Sequence, residues 1–95
     1  MGKLVRERIP ELFGGTSRVL NADEFRAALR AKLGEEVAEY LESGEVLELV
    51  DVLEVVYALA KTDGVGKREL EDLRRQKAGE RGGFDAWLWW KPATG

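Results

Sequence analysis

Neither cysteine nor histidine occurs among the 95 residues of this chain. Their absence excludes disulfides and thiol chemistry and removes the usual zinc ligands, so any metal must be held by oxygen. Long apolar runs are missing too. None is of membrane-spanning length, and the opening MGKLVRERIP lacks an apolar core of signal-peptide length. The expectation is a cytoplasmic protein with no membrane partner. Nor is there an excess of basic charge. A formal net charge of −3 argues against nonspecific binding to nucleic acid, where phosphates demand a basic surface.

What is present belongs to a soluble globular protein: 44% hydrophobic and 35% charged residues. The length predicts one domain, 1–95, small enough that a second chain would help bury its apolar surface.

The most informative stretch is 33–60, LGEEVAEYLESGEVLELVDVLEVVYALA, two helical segments joined at Ser43-Gly44. Glu35, Glu36 and Glu39 read EExxE in the first; Glu48 and Asp51 read ExxD in the second. A spacing of i,i+3 puts two side chains on one helix face, a turn apart. Glu39 and Glu48 are equidistant from the turn, and so are Glu36 and Asp51. In an antiparallel αα-hairpin the first pair would lie about 7 Å above the turn and the second about 11 Å, at a rise of roughly 1.5 Å per residue. Four carboxylates then converge from two helices.

Ahead of this hairpin, residues 1–20 read as irregular. Residues 3–6 and 18–20 are expected to be short extended pieces, and Pro10 to open a single helical turn closed by Gly14-Gly15. The bases Lys3, Arg6 and Arg8 are either a solvated surface or a set of phosphate contacts. Asn21 and Glu24 have capping-box spacing, with Leu20 and Phe25 at staple positions, so a helix is predicted over 22–42. Its apolar stripe, Phe25, Leu29 and Leu33, is interrupted by Glu36. A lone carboxylate in a core stripe is expensive unless something pairs with it.

The next helix, predicted over 45–61, is apolar almost all round except for Glu45, Glu48, Asp51 and Glu54. One small chain has too few helices to cover it, which predicts a homodimer completing a four-helix bundle. A third helix is predicted over 67–78, acidic early and basic late. Lys77, with Arg74 and Arg81 near the same line, either points inward or serves the helix dipole at the surface. Gly79, Gly82 and Gly83 are expected to break the helix, and 84–90 to form a short strand. Trp87, Trp89 and Trp90 can stack on a base, or pack in the core or a dimer interface, the latter being favoured. The overall expectation is a mainly all-α fold.

Two like charges about 4 Å apart repel by roughly 4 kcal/mol at an effective dielectric near 20. Several such pairs, half buried, require a cation or proton uptake. An all-oxygen site with open positions suits Mg²⁺ or Mn²⁺, and Mg²⁺ commonly also binds substrate phosphates, which points to a nucleotide or another polyphosphate. Glu35 or Glu36 would serve as general base, with Lys77, Arg81 or the N-terminal bases on phosphate oxygens. A solvated acidic face explains any one of these residues. It explains the matched heights and the interrupted stripe poorly.

GEEVAEYLESGEVLELVDVLEVVYAL resembles the EExxE…ExxD signature of the MazG-like all-α NTP pyrophosphohydrolases. KLVRERIPEL, SRVLNADEF and RRQKAGERGGF extend the resemblance over nearly the whole chain, to a small house-cleaning group related to phosphoribosyl-ATP pyrophosphohydrolase. Glu7-Arg8 departs from the Asp-Lys often found there. The resemblance implies a dimeric helical core and Mg²⁺-dependent cleavage of an NTP between the α and β phosphates, giving NMP and pyrophosphate. It carries the metal ligands onto Glu36, Glu39, Glu48 and Asp51, and a second metal or the attacking water onto Glu35. Lys3, Arg6, Lys77 and Arg81 align with bases of the group. The competing expectation is a non-catalytic helical dimer serving as an interaction or nucleotide-binding module.

Overall fold

The computed structural model describes residues 2–94. It holds four helices: α1 (Ile9–Phe13), α2 (Ala22–Ser43), α3 (Val46–Thr62) and α4 (Lys67–Arg81). No strand occurs among the described residues, so the all-α expectation stands.

The longest helix, α2, begins and ends where local chemistry dictates. At the start of α2 the Glu24 backbone N–H donates to Asn21 Oδ1 at 2.8 Å, and the Asn21 N–H donates to the Glu24 carboxylate at 3.1 Å. That reciprocal box satisfies two N–H groups that the first turn leaves unpaired. Arg18 adds a 3.0 Å ion pair to Glu24. The Arg18 hydrogen bond, helped by the Asn21 backbone, holds the Glu24 carboxyl below its ordinary value. At the other end Gly44 takes the left-handed conformation (φ 67°) and its N–H donates to the Tyr40 carbonyl at 2.7 Å. A side chain at this φ is disfavoured, so glycine suits the reversal that starts α3.

Two expectations fail near the C-terminus. Gly79 does not end α4, which continues to Arg81; an interior glycine costs a helix only about 0.5–1 kcal/mol. Gly82, at φ 80°, is the actual stop. The strand expected over 84–90 is absent. The Trp87 N–H instead closes a turn onto the Phe84 carbonyl at 3.3 Å, and Trp87 itself has φ 55°, outside the extended region a ladder requires. Residues 3–6 and 18–20 form no ladder either, so the terminal segments are irregular.

The helices α2 and α3 pack along each other as an antiparallel hairpin, and α4 touches α3 only lightly. The buried apolar residues are Leu29 of α2 and Val55 of α3, and with them lies one charged residue, Glu36. Around this thin core much of α3 stays uncovered: Val46, Leu49, Val50 and Leu53, at i,i+3,i+4,i+7 spacing, form one exposed apolar stripe. Val37 and Leu41 of α2 are exposed as well. No helix among the described residues is long and apolar enough to cross a membrane.

Candidate metal centre

The hairpin sets the height of each acid. Because Gly44 turns the chain tightly, the EExxE turn of α2 lies alongside the ExxD turn of α3. One carboxylate oxygen each from Glu36, Glu48 and Asp51 lie within 4.8 Å of one another, and the same holds for Glu35, Glu36 and Glu39. Glu36 belongs to both groups. The five acids singled out from spacing are thus brought together around one buried residue.

Glu36 is 7% exposed. Its Oε1 lies 3.2 Å from the Lys32 ammonium, while its Oε2 is buried with no hydrogen-bond partner. A buried polar atom left without a partner costs about 1–3 kcal/mol, and more when charged. Glu48 and Asp51 are half-buried, Glu35 and Glu39 exposed. The Glu36 charge, followed by burial and by the charges of Glu48 and Glu35, pushes the Glu39 carboxyl above its ordinary value. Clustered acids repel one another, and Glu39 bears that repulsion as a raised carboxyl pKa. An all-carboxylate donor set with one orphaned, buried oxygen fits a hard divalent cation such as Mg²⁺ or Mn²⁺.

Three cations border the acids. Arg6 pairs with Asp51 at 2.5 Å. Lys32 reaches Glu35 at 3.4 Å as well as Glu36. Burial pushes the Lys32 ammonium down, but its bonds to Glu36 and Glu35 and their charges outweigh that, and the net shift is upward. Lys3 lines, with Arg6, Lys32, Glu35, Glu36, Glu39 and Asp51, a cavity of about 280 Å³. Alongside it, sharing Arg6, Lys32, Glu36 and Asp51, runs an open groove of about 1050 Å³, with Tyr57, Val65 and Lys67 among its other walls. Lys67 stands over the Tyr57 ring, 5.0 Å from its centroid.

The remaining predicted bases lie elsewhere. Lys77 and Arg81 are exposed on α4 and line neither cavity. Arg74 is bound to Glu71 of its own helix at 2.7 Å, so the late bases of α4 face solvent. Arg8 pairs with Glu11 at 3.4 Å. Lys32 escaped sequence reasoning although its signal was present: it stands four residues before Glu36, the spacing of a helical ion pair. Tyr57 and Phe25, which line the groove, read from sequence only as core residues.

No family model matches the chain, and no solved structure matches it significantly. An uncharacterized protein of Mycolicibacterium smegmatis is 54% identical over 44 residues, covering 41% of this chain. The match spans 45% of that relative's own length, less than half.

Proposed function

We propose that the chain is a Mg²⁺-dependent nucleotide pyrophosphohydrolase, cleaving a nucleoside triphosphate between the α and β phosphates to NMP and pyrophosphate. The observation that carries this reading is Glu36: a buried carboxylate with one unpartnered oxygen, converging with Glu48 and Asp51 beside a groove large enough for a nucleotide. The resemblance to MazG-like enzymes supports it, since the acids that cluster are those of the EExxE and ExxD motifs.

In this reading Glu36, Glu39, Glu48 and Asp51 hold the cation. When bound, Mg²⁺ offsets phosphate charge and lowers the pKa of water. Glu35, exposed at the cavity wall and hydrogen-bonded by Lys32, accepts the proton of the attacking water as general base. The water oxygen forms the new bond to phosphorus, the bridging P–O bond breaks, and pyrophosphate leaves with the bond's electron pair. Arg6 and Lys3 hold phosphate oxygens, for they border the acids and carry the opposite charge to the substrate. Lys77 and Arg81 take no part in this mechanism. The groove wall of Phe25 and Tyr57 receives the nucleoside.

A homodimer and a cytoplasmic location accompany the proposal. The exposed stripe of α3 supports the dimer, as a second copy of α2 and α3 would complete a four-helix core.

Pyrophosphate release from a panel of ordinary and modified (d)NTPs, with Mg²⁺, Mn²⁺ and EDTA arms, tests the reaction. Release that depends on metal is expected from at least one nucleotide. Silence throughout, together with no cation binding, would favour the non-catalytic helical dimer instead.

A further inference from the structure

The chain's three tryptophans all lie in its last nine residues, in the segment FDAWLWWK. Phe84, Trp87, Leu88, Trp89 and Trp90 are between 78% and 95% exposed, so none packs into a core of its own chain. Four nearly bare aromatic side chains present roughly 600–900 Å² of mostly apolar surface, at about 150–250 Å² each. The largest apolar patch on a typical monomer is about 300–600 Å². Trp87 also holds φ 55°, a conformation that is an outlier for a bulky residue. Such backbone persists where surroundings impose it, and Trp87, 92% exposed, has no such packing among the described residues.

We propose that 84–90 is an arm that docks on a second copy of this chain, within the same association that buries the apolar stripe of α3. The inference rests on the dimer reading and is independent of the hydrolase reading. Surface area identifies the occupant. The chain exposes 8813 Å², whereas a compact monomer of 10.6 kDa exposes about 5,500 Å². The excess is what obligate partners bury, about 1,000–2,500 Å² or more each. Its Cα radius of gyration, 17.3 Å, compares with about 12 Å for a compact chain of this length.

A second copy supplies apolar surface beside that stripe as well: Leu47 of α3 and Val37 and Leu41 of α2 are exposed. An anionic lipid surface is a poorer occupant. The arm contains no base, Lys91 directly after it is offset by Asp85 within it, and the chain as a whole is anionic.

Since every tryptophan is in the arm, intrinsic fluorescence reports its burial directly. The full-length protein is diluted through its dimer dissociation, with sedimentation measured in parallel, and emission maximum and acrylamide quenching are recorded. The proposal predicts blue-shifted, quencher-protected emission that follows the dimer fraction and turns red on dissociation. Trp89→Ala should weaken the dimer at least about 30-fold, as a buried tryptophan anchor does. A dimer whose emission stays red and fully quenchable overturns the arm and leaves the dimer standing. A monomer at every concentration overturns both. Blue emission in a monomer places the arm on its own helices and overturns the proposal, and so does a shift that appears only with phosphatidylglycerol vesicles.

Discussion

Glu36 shows how a single residue can conflict with its neighbours and still belong. It occupies a position where the α2 stripe calls for an apolar residue, and the structure buries it there with Lys32 as its cationic partner among the described residues. Replacing Lys32 by methionine strands that charge. A loss of about 2–3 kcal/mol is expected in EDTA, below the 3–5 of a fully enclosed pair because Lys32 keeps some solvent contact. Urea unfolding measures it, and Mg²⁺ should restore part of the loss by mass action. The double variant Glu36→Gln, Asp51→Asn should remain folded, with an unchanged or higher Tm, and lose pyrophosphate release by more than about 100-fold. A double variant that unfolds would show the acids to be scaffolding.

Glu39 predicts a pH dependence. Its folded pKa lies above the unfolded one, so the native state holds more proton between the two values. Its contribution to stability is therefore present below the unfolded pKa and lost as pH rises through the folded one. Glu24 acts in the opposite sense: its lowered pKa gives stability that is present above its unfolded value and lost on acidification. Glu39→Gln isolates the first effect. In EDTA the variant should match the parent in acid and become progressively more stable than it as pH rises through the range where Glu39 ionises. An advantage that is constant with pH would dissociate Glu39 from the cluster.

Helices were legible where capping chemistry is local. Asn21 with Glu24 announced the start of α2, and Ser43-Gly44 announced the hairpin, because those bonds close within a few residues. Asn21→Ala should cost about 1 kcal/mol, and Gly44→Ala about 1–2 kcal/mol for forcing a Cβ into left-handed backbone; thermal unfolding checks both. The convergence of Glu36, Glu39, Glu48 and Asp51 was legible for the same reason, since helical rise and a tight turn fix relative heights. What required the folded chain was long-range. Arg6 meets Asp51 across 45 positions, a pairing that no periodicity encodes. The end of α4 depended on whether Gly79 or Gly82 stops the helix, and composition does not rank two glycines. The strand expected over 84–90, rich in aromatic residues after the helix-breaking glycines, needed a partner such as 3–6 or 18–20. Such residues favour strands only when a neighbour exists to pair with, and none of the described segments offers an edge.

At the scale of the whole molecule, the chain folds around a hairpin whose buried apolar core, among the described residues, is thin. Dimensions of 58 × 31 × 25 Å and a bare stripe on α3 make apolar surface, rather than the acids, the dominant unsatisfied feature. Stability should accordingly depend on protein concentration, with Tm rising on concentrating the sample. A Tm independent of concentration, in a protein that sediments as a monomer, would contradict the dimer. The acids set a second demand. A cluster gathered from two helices at mutual distances below 4.8 Å is tenable at neutral pH when positive charge joins it, and Arg6 and Lys32 supply only part.

Divalent cation binding tests this most directly, and titration of the full-length protein with Mn²⁺ followed by electron paramagnetic resonance measures it. Saturable binding that Mg²⁺ displaces and that Glu36→Gln, Asp51→Asn abolishes is the predicted result. Absence of saturable binding, or binding that the folded double variant retains unchanged, would contradict the claim that these carboxylates form a metal centre.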